Sequence, residues 1–132
     1  MPVADVHAVR GPTDVDRAVR AAEALADAQG FGTHGRARVG LATRELGTNL
    51  VRYAHAGSLV LSRPNGGVQI ESHDVGPGIP NVPQALEDGY STSGGLGSGL
   101  GAVRRLMDDF SITSTQQGTH IVAHAWLAND SR

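Results

Sequence analysis

A carboxylate and a carboxamide lie one helical turn apart in the segment RELGTNLVRYA, at Glu45 and Asn49. Residues four apart lie on one face of a helix, so the two side chains point the same way beside the apolar stripe through Leu46 and Leu50. Their oxygens are suitable ligands for Mg²⁺, and the carboxylate could also hold or deprotonate an attacking hydroxyl. Taken on its own, the pair has an alternative interpretation, in which Glu45 and Asn49 are only polar residues at a solvent-exposed edge of the helix.

A second carboxylate, Asp74, ends the alternating run VQIESHD and is followed at once by a glycine-proline turn. A carboxylate at the end of a strand can accept a hydrogen bond from an exocyclic amino group, while Gly76 and Gly78 let a flat ring approach the backbone. Further on, Gly118 and Thr119 open a predicted strand. The structural alternative for Asp74 is an aspartate that caps a turn, and for Gly118 and Thr119 it is a turn that leads into a strand.

The segment STSGGLGSGLG, residues 91–101, contains five glycines in eleven residues. A glycine loop that enters a helix presents free N–H groups and the positive end of the helix dipole, which favours a phosphate. Residues 97–102 also fit G-x-G-x-x-A, but a dinucleotide fold needs a strand directly before that motif and an acidic residue about 20 positions later. Both are lacking, so that fold is disfavoured. A mobile connector is the other alternative.

Composition excludes several classes of site. The chain has no cysteine and no lysine, which removes disulfides, thiol nucleophiles, the P-loop lysine and Schiff-base chemistry. His120 and His124 would lie about 13 Å apart on a strand, too far to share a metal, and no zinc site is predicted. A net charge of −2 argues against nucleic acid as a partner. No window has the roughly 20 apolar residues of a membrane span, so we expect a cytoplasmic protein.

The elements that position these residues alternate between strand and helix. We expect a strand at residues 3–9, a helix that begins at Thr13 as N-cap and ends at Gly30, and a second helix over residues 36–54 with Tyr53 on its apolar stripe. A hairpin at residues 58–74, a short helix at 84–88, a helix at 98–109 and strands at 110–114 and 118–127 follow. This order predicts one α+β domain over residues 1–132, a two-layer α/β sandwich rather than a parallel doubly wound sheet.

Taken together, the order and spacing of these motifs are much more specific than any one of them. Glu45-x-x-x-Asn49 on a helix, Asp74-x-Gly76-x-Gly78, the glycine run and Gly118-Thr119 resemble the conserved boxes of the GHKL, or Bergerat-fold, ATP-binding superfamily over about residues 36–127. The resemblance implies a mixed, mostly antiparallel sheet with helices on one face. It also implies ATP and Mg²⁺ as cofactors.

The resemblance further implies a role for each matching residue. Asp74 would accept the adenine amino hydrogen, with Thr119 assisting around the ring. Asn49 would be the main protein ligand of magnesium, and Glu45 the general base. Gly76 and Gly78 would shape the base pocket. The main chain of six residues would wrap the phosphates as a lid: Gly95, Leu96, Gly97, Ser98, Gly99 and Leu100.

Within the superfamily, this chain most resembles bacterial serine/threonine switch kinases, both in its short length and in the segment LEDGYSTSGGLGSGLGAVRRLMDDFSI. Anti-sigma factor kinases are the second most similar group. This similarity implies a kinase that phosphorylates a STAS-domain antagonist in a stress or sigma-factor circuit. The alternative is a nucleotide-gated binding module that sequesters a sigma factor or activates a PP2C-type phosphatase with little kinase activity. A non-nucleotide α+β domain with coincidental glycines is a third possibility.

Overall fold

The computed structural model describes residues 4–54, 57–76, 86 and 99–130. Its strands are β1 (Asp5–Val9), β2 (Gly57–Ser62), β3 (Gly67–His73), β4 (Asp109–Thr115) and β5 (Gly118–Trp126). Its helices are α1 (Pro12–Ala28), α2 (Thr33–Asn49) and α3 (Gly99–Leu106), with a π-helical turn at Leu50–Ala54 and a 3₁₀ turn at Leu127–Asn129.

The five strands form one sheet in the order β1-β2-β3-β5-β4, and each of the four pairings is antiparallel. Burial alternates along β3 and β5, so that one face of each strand packs into the core and the other does not. The core-facing side packs with apolar residues of all three helices. The predicted α+β sandwich, with helices on one face of the sheet, is therefore confirmed, and every strand pair in the described part of the chain is antiparallel.

Helix α1 begins earlier than predicted. Gly11, and not Thr13, is the N-cap, and proline follows it in the first turn of the helix. Proline is favoured there because its fixed φ suits the first turn and its missing N–H has no intrahelical partner to lose. The end is as expected: Gly30 has φ of 97°, its N–H donates to Asp27 O and that of Phe31 to Ala26 O, both at 3.0 Å. This is a Schellman ending, which needs glycine in the left-handed conformation.

Helix α2 packs against both α1 and α3, and α1 and α2 each contact the sheet. On one side it approaches α1 through glycines: a Cβ on Gly47 would lie 3.0 Å from Val15, and one on Gly40 would lie 2.9 Å from the Glu23 side chain. On another side it buries Val39, Ala42 and Leu46 in the core. The contacts with α1 and with the core thus fix the rotation of α2 about its axis.

One residue of the predicted apolar stripe of α2 is placed differently. Tyr53 is 42% exposed, whereas Leu50 is buried. The cause is the π-helical turn over Leu50–Ala54, because a turn closed by i→i+5 hydrogen bonds moves later residues off the 3.6-residue repeat. The prediction that Tyr53 continues the stripe was therefore wrong.

The two predicted hairpins are present. The β2–β3 hairpin turns at residues 63–66, where Gly66 has φ of 79°, and the β4–β5 hairpin turns at residues 116–117. The short helix predicted at 84–88 lies outside the described residues apart from Leu86, which packs against the core. None of the helices in the described ranges has the length and apolar composition needed to cross a bilayer.

Candidate nucleotide-binding site

Asp74 and Thr119 are 45 positions apart in the chain and meet at one end of the sheet. The last paired residues of β3 and β5 there are His73 and His120, and the Asp74 N–H extends the ladder by donating to Thr119 O at 3.0 Å. In return, Asp74 Oδ1 accepts the backbone N–H of Thr119 at 3.2 Å and that of Gly76 at 2.9 Å. The carboxylate is therefore held by the main chain of both Gly76 and Thr119. We call this end of β3 and β5 the Asp74–Thr119 corner.

Both hydrogen bonds that the Asp74 carboxylate accepts from described residues end on Oδ1. The second oxygen, Oδ2, has no donor among residues 4–54, 57–76, 86 and 99–130. A partly buried carboxylate with one fixed and one available oxygen can accept a hydrogen bond from a bound molecule in a defined direction. Thr119 itself is buried, and its hydroxyl lies 3.0 Å from that of Ser114.

Two glycines make this corner possible. A Cβ on Gly118 would overlap the main-chain carbonyl oxygen of Asp74, and its φ of 147° is one that side chains rarely allow. A Cβ on Gly76 would lie 3.4 Å from Asp74 Oδ1 and 3.5 Å from Ala54 Cα. Gly118 thus permits the close approach of β5 to Asp74, and Gly76 keeps the space beside the carboxylate small but open.

The end of the α2 helical segment packs against the same corner. A Cβ on Gly57 would meet the Leu50 side chain and His73 O, each at 2.6 Å, and Asp74 Cβ at 3.4 Å. Leu50 directly follows Asn49, and Ala54, which contacts Gly76, ends the same π-helical turn. The main chain after Asn49 therefore passes directly beside Asp74.

Glu45 and Asn49 lie one turn apart on α2 and are both partly buried. Arg38 falls on the same stripe, seven and eleven residues earlier, since seven residues complete nearly two turns. Its guanidinium donates to Leu106 O at 3.1 Å and lies 3.9 Å from the Asp108 carboxylate, at the C-terminal end of α3. The stripe that carries Glu45 and Asn49 is thus on the α3 side of α2.

The glycine run enters α3 as predicted. The helix begins at Gly99, whose φ is 53°, and the Leu100 side chain is buried in the core. The remaining predicted site residues lie outside the described part of the chain: Gly78, Gly95, Leu96, Gly97 and Ser98.

Ser114 was not found by sequence reasoning. It pairs in register with Thr119 across the β4–β5 hairpin and shares a hydroxyl-hydroxyl contact with it. The signal was present in the sequence, because the two-residue turn fixes which residue of β4 faces Thr119. The arrangement as a whole has a directed carboxylate at a strand end and a carboxylate-carboxamide pair on a neighbouring helix.

Comparison with known proteins agrees with the predicted family. The profile of the histidine kinase-like ATPase domain matches residues 10–124. The serine/threonine-protein kinase RsbT of Bacillus subtilis is 48% identical over 103 residues, which are 74% of this chain and 77% of that protein. The prediction of a serine/threonine kinase of this superfamily is thereby confirmed at the level of homology.

Solved structures show the same fold. The RsbU and RsbW domains of a Mycobacterium tuberculosis protein align with a TM-score of 0.68 and 14% identity, over 96% of this chain and 32% of that one. The histidine kinase domain of a blue-light activated histidine kinase from Erythrobacter litoralis aligns with a TM-score of 0.55 and 22% identity, over 88% and 60%. Sequence and fold agree, and the chain belongs to the histidine kinase-like ATPase domain family.

Proposed function

We propose that this chain is a Mg-ATP-dependent protein serine/threonine kinase that phosphorylates a STAS-domain antagonist and acts as a partner switch in a bacterial stress or sigma-factor circuit. The observation that carries the proposal is the packing of the α2 end against the Asp74–Thr119 corner, through Leu50 on Gly57 and Ala54 on Gly76. It brings a base-recognition group and a carboxylate-carboxamide pair to one region of a chain that is 48% identical to a serine/threonine kinase.

The chemistry of the donor set fits ATP and magnesium. Asp74 Oδ2 is available to accept the exocyclic amino hydrogen of adenine, while Oδ1 is held by two backbone N–H groups. Gly76 carries no side chain beside that carboxylate, which would let a flat ring approach the backbone, and Thr119 would assist around the ring. Asn49 offers an amide oxygen, the hard ligand that magnesium prefers in proteins. When bound, magnesium supplies charge neutralisation at the phosphates.

The residues of the chain itself have defined tasks in phosphoryl transfer. The Glu45 carboxylate accepts the proton of the substrate serine or threonine hydroxyl as that oxygen forms its bond to the terminal phosphoryl group and ADP leaves. Asn49 holds its oxygen one turn away on the same helix face. The main chain from Gly95 to Leu100, together with the start of α3, binds the phosphate oxygens through N–H groups.

A STAS-domain antagonist is the proposed substrate because the resemblance to bacterial switch kinases implies it, and phosphorylation is suited to breaking a protein interface. A phosphoryl group adds a charge of about −1.5 to −2, which disrupts a contact with an acidic or apolar surface. The kinase and its substrate would then separate, and a second partner, a sigma factor or a PP2C-type phosphatase, could be bound or released.

The test is transfer of labelled γ-phosphate from ATP to a purified STAS-domain protein of the same organism. We expect label on a serine or threonine of that protein with the wild-type chain, and none with Glu45→Gln or Asn49→Ala. Asp27→Asn is the matched control, since Asp27 is an exposed carboxylate on α1 with one ion pair to Arg36. It should transfer phosphate at the wild-type rate.

Binding of ATP is measured separately. ATP with magnesium at a hundred times its dissociation constant should stabilise the fold by about 2.7 kcal/mol. Binding without transfer to any partner would reject the kinase and favour the nucleotide-gated binding module. No stabilisation at millimolar ATP would reject the nucleotide site.

A further inference from the structure

The opposite face of β3 and β5 carries a second group of side chains with ligand chemistry. Glu71 and His73 lie two positions apart on β3, on the face of the strand that does not pack into the core. His120 lies on the same face of the sheet, on β5. His73 and His120 are direct cross-strand partners, and their rings stack with centroids 4.2 Å apart and planes at 18°. The pairing of β3 with β5 therefore holds the two imidazole rings face to face.

Both imidazoles direct a ring nitrogen at one carboxylate. His120 Nε2 lies 3.3 Å from Glu71 Oε1, and His73 Nε2 lies 3.9 Å from Glu71 Oε2. One ligand atom from each of the three residues can be chosen so that all lie within 4.8 Å of one another. From these contacts we propose that Glu71, His73 and His120 form a binding site for a divalent transition-metal ion of the zinc type.

The distances agree with tetrahedral coordination. Zinc binds imidazole nitrogen at about 2.0–2.1 Å and carboxylate oxygen at about 2.0–2.2 Å, so two ligand atoms of one tetrahedral ion are separated by about 3.3–3.5 Å. The nitrogen-oxygen separations are 3.3 Å from His120 to Glu71 Oε1 and 3.9 Å from His73 to Glu71 Oε2. A set with one atom from each residue lies within 4.8 Å, so the three side chains must draw together when the ion binds. Binding requires the two rings to turn out of their stacked arrangement so that both Nε2 atoms point at one ion, and with side-chain exposures of 43% and 44% both have room to turn.

The three ligands fit zinc better than magnesium or calcium. Two imidazoles and one carboxylate are a nitrogen-rich set, and imidazole suits zinc, copper and nickel, whereas magnesium and calcium prefer oxygen. With three protein ligands, the fourth position faces solvent and would hold water. This site is distinct from the Asp74–Thr119 corner, although His73 and His120 are the chain neighbours of those two residues.

A bound ion would link β3 to β5 at the sheet end where the ladder finishes. We expect one Zn²⁺ per chain by isothermal titration calorimetry of the nucleotide-free protein, and a higher unfolding temperature in Zn²⁺ but not in Mg²⁺. His73→Ala and His120→Ala should each weaken binding by at least about tenfold because each removes one of three ligands. Glu71→Gln should weaken it as well.

His124→Ala is the matched control. His124 lies on the same face of β5, hydrogen-bonds Gln69 at 2.7 Å and stacks on Trp126, but it is not in the cluster. Its removal should leave Zn²⁺ affinity unchanged. Circular dichroism checks that each variant is folded, and Co²⁺ added to the wild-type chain should give the visible absorption of a tetrahedral ion.

Two results would overturn the site. The first is Zn²⁺ affinity that survives in both His73→Ala and His120→Ala or that falls equally in His124→Ala. The second is a Co²⁺ spectrum of the octahedral aquo ion with the wild-type chain, a measurement that does not depend on any variant folding.

Discussion

Two substitutions of Asp74, to asparagine and to alanine, distinguish its structural role in binding backbone N–H groups from its proposed role in binding adenine. Its Oδ1 accepts two backbone N–H groups, from Gly76 at 2.9 Å and Thr119 at 3.2 Å, while Oδ2 is the proposed acceptor for adenine. Asp74→Asn keeps an acceptor oxygen that can replace Oδ1, but it replaces Oδ2 with an NH₂ group that only donates. Asp74→Ala removes both tasks at once.

The contacts give the expected magnitudes. In Asp74→Ala two part-buried N–H groups lose their acceptor, at up to about 1–3 kcal/mol each, so the free energy of unfolding should fall by up to about 2–6 kcal/mol. In Asp74→Asn the amide oxygen can still accept both backbone N–H groups, but as a neutral acceptor. We expect the free energy of unfolding to fall by about 1–2 kcal/mol. Adenine, however, loses a charge-assisted hydrogen bond of about 1.5–3 kcal/mol, which weakens ATP binding by about 10- to 150-fold.

The assay pairs chemical denaturation with calorimetric titration of Mg-ATP for each variant. Asp108→Asn is the matched control: its carboxylate accepts the Trp126 N–H at 2.7 Å, at the opposite end of β5 from Thr119. It should lose comparable stability and keep wild-type ATP affinity. If Asp74→Asn binds ATP as tightly as the wild type does, Asp74 only supports the corner and our assignment of the base pocket is wrong.

Three further substitutions test the packing that holds this site. Gly118→Ala places a methyl group on the Asp74 carbonyl oxygen at a φ of 147°, and we expect a loss of about 1–3 kcal/mol with weaker ATP binding, measured by denaturation and titration. Gly47→Ala presses a Cβ to 3.0 Å from Val15 and should cost about 1–3 kcal/mol by denaturation; unchanged stability would show that α1 can move away. Leu46→Ala empties a fully buried core position and should lower the free energy of unfolding by about 2–5 kcal/mol, and a loss below about 1 kcal/mol would contradict the burial.

Local sequence signals predicted most of the fold. The PNGG sequence at residues 64–67, whose last glycine begins β3, and the alternation on either side of it predict the β2–β3 hairpin. Gly30 ends α1 in the left-handed conformation that favours glycine. These features depend on neighbouring residues alone. The start of α1 was misjudged because Thr13 and Gly11 are both acceptable N-caps, and Pro12 at the first position decides between them.

Contacts across strands could not be derived in the same way. The distance between His120 and His124 was judged along one strand, and a zinc site was therefore not predicted, although His73 is the cross-strand partner of His120. Finding the Glu71 cluster requires the register of β3 against β5, two strands separated by more than forty residues. Register of that kind depends on the folded sheet and not on local spacing.

The π-helical turn explains how two parts of the proposed site are brought together. Asn49 ends α2, and within the next five residues Leu50 contacts Gly57 while Ala54 contacts Gly76. A continued α-helix would instead have directed Tyr53 toward the core, because position 53 falls on the stripe of position 46 after two turns. The widened turn releases that side chain to solvent and places small residues against the strand-end corner.

The spacing between the proposed magnesium ligand and the proposed base acceptor is thus set by one turn of main chain. Gly57 and Gly76 are the residues that allow its close approach, since a Cβ on either would contact that turn. π-Helical turns occur frequently at functional sites, where they aim a side chain that a regular helix would direct elsewhere. Here the turn ties the end of α2 to Asp74, and the positions of Asn49 and Asp74 are fixed by the same few contacts.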